Sequence, residues 1–393
     1  MYTQEFLAEE FGFPINEQQT EAVNKAVEWY RGWQDRKHRR MEFKLAGFAG
    51  TGKTTVAKVI ASLCCTMEWT AFIAPTGKAA SRLRQKGCPL AKTLHQFVYN
   101  VRGEDEDGSP IFVAKGDLDD RPRLIVLDEA SMVGRYDSEK LAEHRIPILK
   151  LGDPGQVPPV KDVQVFTVES ADFVLDQIER NAGNIVRASM FVRNGARLPI
   201  REYDDVAVRE GRPTDDVLRK FLGDDGVVLC AYNNSRAELN ERARKLLGFS
   251  GQVPGVGEKL VCTFNQHGYN IMNGEQAIIT GFRPIPEGEE DQDEDPGMML
   301  VEFRSLTDGR SRVAKFNPIC FTGNEEERKE AMRNPGGFDF GWALTIHKSQ
   351  GSEWPYVLVM EEKLGGCPYA QLMYTAITRA IDFLAFYRNK RYN

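Results

Sequence analysis

One stretch constrains this chain more than any other: Gly47-Phe48-Ala49-Gly50-Thr51-Gly52-Lys53-Thr54-Thr55. It fits G-x-x-x-x-G-K-[ST], follows the apolar run Phe43–Ala46, which reads as a strand, and opens the run Thr54 to Met67, which reads as a helix. A strand, a glycine-rich turn and a helix in that order specify an α/β fold with a parallel sheet. Gly47, Gly50 and Gly52 let backbone N–H groups turn inward around phosphates, and the helix N-terminus adds a favourable dipole. Thr51 belongs to the turn and Thr55 to the first helical turn. Lys53 brings a point charge to the outer phosphates, and the Thr54 hydroxyl suits magnesium. The competing reading is a glycine-rich turn that matches by chance, and the flanking strand and helix weigh against it.

The alternation continues along the chain. Ala71–Ala74, Leu124–Leu127 and Ile148–Leu151 read as further buried strands of a first half. Val227–Ala231, a helix over Ser235–Leu247, Tyr356–Met360, a helix near Ala370–Ala380 and Phe383–Tyr387 form a second. Asp128 and Glu129 stand at the C-terminal end of an apolar strand, where open α/β sheets bind ligands. Asp128 there holds magnesium, and Glu129 orients or deprotonates an attacking water. Gly152-Asp153-Pro154-Gly155-Gln156 follows the fourth strand and brings the Gln156 amide to the same edge. Arg180 and Arg379 gain interest only if a second lobe supplies cationic fingers.

Two stretches interrupt the pattern. Phe97 to Lys115 reads as a β-hairpin with its turn at Asp107-Gly108. Lys259 to Thr322 is strand-rich (Leu260–Phe264, Ala277–Phe282, Met299–Phe303, Arg312–Phe316) and reads as a small inserted β-barrel. Its acidic run Glu287 to Pro296 reads as a solvated loop, and the basic run Arg36-Lys37-His38-Arg39-Arg40 as a solvated turn. The net charge of −6 excludes a wholly basic nucleic-acid binder but not a local basic groove. Seven cysteines without a C-x-x-C pair argue for reduced thiols and against zinc. No apolar stretch reaches the roughly 18 residues of a membrane span, and the N-terminus shows no secretion signal.

Taken in order, these pieces resemble a superfamily 1 DNA helicase of the RecD/Dda-like branch, whose members move 5′ to 3′ on single-stranded DNA. Ile15–Val23 looks like the adenine-reading Q motif, with Gln19 as its glutamine. Gly47–Thr55 matches motif I, Ala74-Pro75-Thr76-Gly77-Lys78-Ala79-Ala80 motif Ia, and Thr93-Leu94-His95 motif Ib. Asp128–Ser131 is similar to motif II, Gly152–Val160 to motif III, and Ala231–Asn234 to motif IV. Leu344–Glu353 matches motif V, with Gly351 and Glu353 nucleotide-binding, and Tyr374–Ala380 matches motif VI. Arg180 and Arg379 stand where the family carries its arginine fingers.

The resemblance implies two RecA-like P-loop domains, residues 1–96 with 118–180 and 181–258 with 323–393. A hairpin pin (97–117) carries Phe112 toward a duplex junction, and a β-barrel accessory domain spans 259–322. It further implies ATP and Mg2+ as cofactors, and DNA contacts from Thr76, Lys78, His95, Asn234, Thr345 and His347. The expected protein is a monomeric, cytoplasmic ATPase of a bacterial or phage-infected cell, acting on single-stranded and fork DNA beside replication or recombination proteins. A P-loop phosphotransferase, an ATP-switched binder or translocase that separates no strands, and an RNA track stay open at this level.

Overall fold

The computed structural model describes residues 1–104, 110–116, 118, 121–158, 166–177, 183–269, 271–285 and 297–392. The expected turn at Asp107-Gly108 and the run Glu287–Pro296 lie outside the described residues. The chain divides into two compact units: Met1–Asn100 with Phe112–Val186, and Arg187–Asn393 with Val101–Ile111.

Up to residue 175 the strands are β1 (Glu42–Gly47), β2 (Thr70–Ala74), β3 (Lys92–Thr93), β4 (Tyr99–Glu104), β5 (Pro110–Ala114), β6 (Leu124–Leu127), β7 (Ile148–Gly152) and β8 (Phe173–Leu175). Six of them form one sheet in the order β3-β2-β6-β7-β1-β8, with every pairing parallel. The runs Leu124–Leu127 and Ile148–Gly152 are buried at every position, as strands covered on both faces must be. Successive side chains go to opposite faces. Leu124 and Val126 join the core under the helices Glu17–Gln34 and Lys53–Cys65. Ile125 and Leu127 join the core beside Leu94–Val98 and Arg135–Ala142. Strands β4 and β5 form a separate two-stranded sheet. Phe97 is not its first arm: it belongs to the short Leu94–Val98 helix, where Thr93 and Gln96 close a capping box that holds those residues helical.

The second unit contributes β9 (Arg201–Glu202), β10 (Val206–Glu210), β11 (Gly226–Cys230), β12 (Lys259–Cys262), β13 (Gln276–Arg283), β14 (Met299–Ser305), β15 (Ser311–Phe316), β16 (Phe338–Phe340), β17 (Ala343–Thr345), β18 (Trp354–Met360) and β19 (Ala380–Arg388). Its main sheet runs β17-β11-β18-β19-β10-β9, parallel throughout except for edge strand β9. The expected helix near Ala370–Ala380 is Tyr369–Ile377. It stops there because Ala380 pairs with Trp354 and the chain enters β19, so sheet pairing overrides helical propensity.

Strands β12 to β16 form a five-stranded antiparallel sheet, order β15-β14-β13-β12-β16. Phe303, Phe316 and Phe338 meet in its core. The fifth strand, Phe338–Phe340, lies beyond the expected 259–322 stretch, and Gly341 separates it from β17. A Cβ at Gly341 would come within 2.7 Å of the Leu260 carbonyl oxygen, so only glycine lets the chain pass that closely. Lys259, fully buried, donates to the Gly223 and Gly226 carbonyls and ties this sheet to the loop before β11.

One buried ion pair closes the second unit. Arg197 donates to both carboxylate oxygens of Glu361 at 2.9 and 2.6 Å. The Tyr369 hydroxyl and the Asn389 amide donate to the same group. Burial alone would raise the Glu361 carboxyl, but these donors hold it below the usual carboxylate range. A depressed folded-state pKa contributes stability that is complete above the ordinary value near 4.3 and is lost as pH falls through the folded value. Glu361→Gln should therefore cost about 3–5 kcal/mol at neutral pH. In urea denaturation followed across pH, that deficit should shrink below about pH 4.

Candidate active site

In the first unit every strand of the parallel sheet sends its C-terminal end to one edge, and that edge collects the sequence-selected residues. Strand β1 ends at Gly47, and the loop reverses through Gly50 and Gly52, at φ 78° and 76°, a left-handed turn that glycine alone adopts without strain. The Lys53–Cys65 helix begins directly after, with no side-chain cap, so its first N–H groups are left for an anion. Within the loop Lys53 Nζ donates to the Gly47 and Phe48 carbonyls at 2.7 and 3.0 Å, and Thr51 Oγ1 donates to Phe48 at 2.8 Å. A Cβ at Gly47 would lie 2.7 Å from Lys53 Cγ and 2.8 Å from Thr51 Oγ1. Thr54 and Thr55 are half-buried in the first helical turn.

Gln19 lies against this loop. Its side-chain oxygen accepts from the Asn16 amide in a capping box, and its Nε2 donates to the Thr51 carbonyl at 3.1 Å. Gln19 thus anchors the loop that holds Lys53, a task its sequence motif does not announce.

Strand β6 delivers Asp128 and Glu129 beside the loop. The Asp128 amide continues the sheet to Ile73 at 2.9 Å, while Glu129 turns away at φ 51°, ψ 38°. That left-handed conformation costs a non-glycine residue about 1 kcal/mol, and strain of this kind gathers at functional sites. The Glu129 amide donates to Asp128 Oδ1 at 2.9 Å and stabilises the turn. Burial and the neighbouring Glu129 charge raise the Asp128 carboxyl, while the Glu129 amide, Lys53 and Arg82 pull it down. Arg82 is a residue the sequence reading missed; its signal was its place one helical turn after Lys78 on the Gly77–Gln85 helix.

After β7, Asp153 accepts from the Gly155 amide at 2.9 Å and fixes the turn. Gln156 is 4% exposed, and its buried Oε1 meets no hydrogen-bond partner among the described residues. An orphaned buried amide oxygen is costly, and a hydrated or cation-bearing ligand at this edge would relieve it. A hydroxyl from Thr54 and the carboxylate of Asp128 are hard oxygen donors of the kind magnesium takes in small number, the rest coming from water and substrate phosphate. Among the described residues no group of three or more His, Cys, Asp or Glu could hold a metal by itself. The residues present therefore fit a magnesium–nucleoside triphosphate.

Other expected residues of this unit divide. Thr76 Oγ1 caps its helix, accepting from Ala79 at 3.2 Å. Lys78 is half-buried on the same helix. His95 is exposed and stacks on Tyr99 with centroids 5.6 Å apart. Thr76, Lys78 and His95 follow β2 and β3, at the same sheet edge. Phe112 lies on β5, its side chain outside the described residues, and Arg180 is outside them altogether.

The second unit sorts its residues to the two ends of its main sheet. Asn234, exposed in the first turn of the Asn233–Leu247 helix, follows the C-terminal end of β11. Thr345 ends β17 and accepts from the Lys348 amide at 3.3 Å, and His347 follows it. Burial lowers the His347 pKa, so the imidazole is neutral at physiological pH. Gly351 (φ 72°) and Glu353 precede β18 at the opposite end. Arg379 precedes β19 at that same end and is 2% exposed. Its Nε donates to the Thr375 carbonyl, Nη1 to the Ser352 carbonyl and Nη2 to Thr378 Oγ1, all at 3.0–3.1 Å. These bonds draw the motif V and motif VI segments together. Ser352, Thr375 and Thr378 are thus partners of Arg379 that sequence reasoning did not name.

A phosphate loop on one parallel α/β unit, with a second parallel α/β unit in the same chain, defines a P-loop protein of two RecA-like folds. Comparison with known proteins refines that class. An AAA domain family matches residues 14–208, and a UvrD-like helicase C-terminal domain matches 340–384. The ATP-dependent RecD2 DNA helicase of Deinococcus radiodurans is 27% identical over 86% of this chain and 46% of its own length. The ATP-dependent DNA helicase dda of Enterobacteria phage T4 is 28% identical over 57% of each chain. The crystal structure of Pif1 helicase from Candida albicans shares the fold, with a TM-score of 0.53 at 20% identity, over 96% of this chain and 95% of that one. The chain spans about half the length of the curated relatives it matches. By these matches the chain is similar to DNA helicases of the RecD2 and Dda kind.

The Gln19 anchor is testable without assuming any activity. Gln19→Ala removes both the capping box and the bond to Thr51, and should cost about 1–2 kcal/mol in chemical denaturation. It should also weaken binding of a fluorescent ATP analogue several-fold.

Proposed function

We propose that this chain hydrolyses ATP in response to single-stranded DNA, moves 5′ to 3′ along it and separates strands at a fork. The observation that carries the reading is the gathering of Lys53, Asp128, Glu129 and the Gln156 side-chain oxygen, unpartnered among the described residues, at one sheet edge by β1, β6 and β7. Similarity to the relatives named above, which are described as DNA helicases, supports the DNA track.

On this reading the main-chain N–H groups of Gly50–Thr55 and the Lys53 ammonium hold the β- and γ-phosphates, and Gln19 borders the base. Thr54 and Asp128 would hold magnesium, which when bound neutralises charge on the phosphates. Glu129 orients the attacking water and accepts its proton as the bond to the γ-phosphorus forms and the bond to ADP breaks. The Gln156 amide positions that water. Arg180 and Arg379 act as the cationic fingers, with Gly351 and Glu353 completing the nucleotide contacts. Because Arg379 Nη1 is bonded to the Ser352 carbonyl, any pull of the γ-phosphate on this guanidinium is felt in the motif V segment. Thr345 and His347 sit at that segment's other end, so nucleotide state and strand grip change together. Thr76, Lys78, His95 and Asn234 complete the strand contacts, Phe112 on the 97–117 pin meets the junction, and the 259–322 region serves as the accessory domain. The protein acts as a monomer on single-stranded and fork DNA, beside replication or recombination proteins.

Two variants test the chemistry. Lys53→Ala should abolish ATPase activity and leave DNA binding measurable by anisotropy. Glu129→Gln should bind ATP with little change while kcat falls about 10²- to 10⁴-fold, the usual worth of a general base. Full turnover in either would overturn the assignment. On the wild type, ATPase with and without single-stranded DNA, followed by unwinding of forks with 5′ or 3′ tails, decides between a directional helicase, a translocase and a phosphotransferase.

A further inference from the structure

The first unit carries a basic cavity at the end of its sheet opposite the phosphate loop. It encloses about 580 Å3, and its wall includes Arg36, Arg39, Arg121, Arg123, Arg145 and the half-buried Trp33. The sheet order explains the convergence. Strands β6, β7 and β1 are neighbours, and the segments entering them are 121–123, 145–147 and 36–41. A run that reads as an isolated solvated turn thus joins arginines from two segments far along the chain, Arg121 with Arg123 and Arg145.

Three observations mark this cavity as built to receive an anion. First, nearby basic residues are neutralised, Lys37 by Asp35 and Arg40 by Asp172, but none of the five lining arginines has a carboxylate partner among the described residues. Arg121 donates only to the His144 carbonyl at 3.3 Å, and Arg123 lies 4.7 Å over the Trp69 ring. Five like charges around one cavity repel each other, a cost that a bound anion would offset. Second, Arg36 and Arg145 have φ of 56° and 53° and are two of the four non-glycine residues with positive φ among those described. Both follow helix ends, where glycine or asparagine ordinarily takes that conformation; here arginine is kept despite the strain. Third, lysine is absent from the lining. Planar guanidinium forks suit phosphate or carboxylate oxygens in pairs.

We propose that this cavity is a second DNA contact, in which Arg36, Arg39 and Arg145 hold backbone phosphates of a single strand and Trp33 packs against an exposed base. The aromatic wall favours a nucleic-acid strand over an acidic peptide, because stacking on a ring adds binding that carboxylates do not use. The inference rests on the DNA track of the proposed function but places this contact away from the motif Ia and Ib edge.

The test is the triple variant Arg36→Asn, Arg39→Gln, Arg145→Asn, in which asparagine tolerates the left-handed backbone and the charges are gone. Binding of a fluorescein-labelled oligo-dT is followed by anisotropy across a salt series, beside binding of a labelled poly-glutamate peptide. Each phosphate contact on a single strand contributes about 0.7 to the slope of log K against log salt, so the slope should become shallower by about 2 and affinity should fall at least about tenfold at low salt. The thermal midpoint and kcat at saturating DNA should be unchanged, while the DNA concentration giving half-maximal ATPase should rise. If the triple variant folds poorly, Arg39→Gln alone should still reduce the slope by about 0.7. An unchanged slope and affinity would overturn the proposal, as would loss of poly-glutamate binding with DNA binding intact. A wild type that neither binds oligo-dT nor is stimulated by it would instead overturn the proposed function on which this inference stands.

Discussion

The parallel pairing of β1, β6 and β7 is the constraint on which the rest of the first unit depends. Parallel register makes every strand leave the sheet at the same edge, so the loops after β1, β6 and β7 meet without any of them being long. The same register makes the entering segments meet at the other edge, where the five arginines gather. Both features follow from one ladder and one pair of buried faces. A slip of one residue in any strand would send core side chains such as Ile125 to the wrong face and take Asp128 away from Lys53.

At the loaded edge, burial dominates the electrostatics of Asp128 and raises its carboxyl above the usual carboxylate range. Burial and the adjacent Glu129 work against ionisation of Asp128, and Lys53, Arg82 and one backbone amide work for it. A divalent cation bound beside Asp128 would become the largest local charge and favour its ionised form. The left-handed backbone of Glu129 swings its side chain off the strand direction, so two consecutive carboxylates serve different purposes. The local strain is offset by the Asp128–Glu129 hydrogen bond and the short 130–132 helix that follows.

Much of this was legible in the letters because it is local. The phosphate loop, the apolar strand Leu124–Leu127, the strand Ile148–Gly152 with its single Lys150, and the Asp128-Glu129 pair are each written within ten residues. What the letters hid depends on partners distant in sequence. Phe97 reads as a hairpin arm because its apolar neighbours alternate, but a capping box from Thr93 and Gln96 makes it helical. Strands β16 and β17 are too short to show a period and exist only through pairing with β12 and β11. The end of the Tyr369–Ile377 helix is set by β18, not by a cap of its own. Gln19 looks like a ligand-reading residue from its motif; its contact with Thr51 appears only when helix and loop are packed. The arginine cavity needs three separated segments, of which only the Arg36–Arg40 run shows in the letters.

The second unit raises a different physical question: how a change at one end of a sheet reaches the other. The residues proposed to meet nucleotide, Gly351, Glu353 and Arg379, lie at the N-terminal ends of β18 and β19, whereas those proposed to meet the strand, Thr345, His347 and Asn234, lie at the C-terminal ends of β17 and β11. Strands β17 and β18 are parallel and flank β11, so the segment 346–353 must run the length of the sheet to connect them. Most such crossovers are long helices that can absorb displacement. This one is short, contains only the three-residue turn His347–Ser349, and is fastened at one end by Thr345 and at the other by the Arg379–Ser352 bond. A short strap with fixed ends transmits strain instead of dissipating it, because packed interiors shift between discrete arrangements and do not deform smoothly. On the proposed function, coupling between nucleotide and strand in this unit requires no distant relay, because the strap joins Thr345 and His347 at one end of the sheet to Gly351, Glu353 and the Arg379-bonded Ser352 at the other.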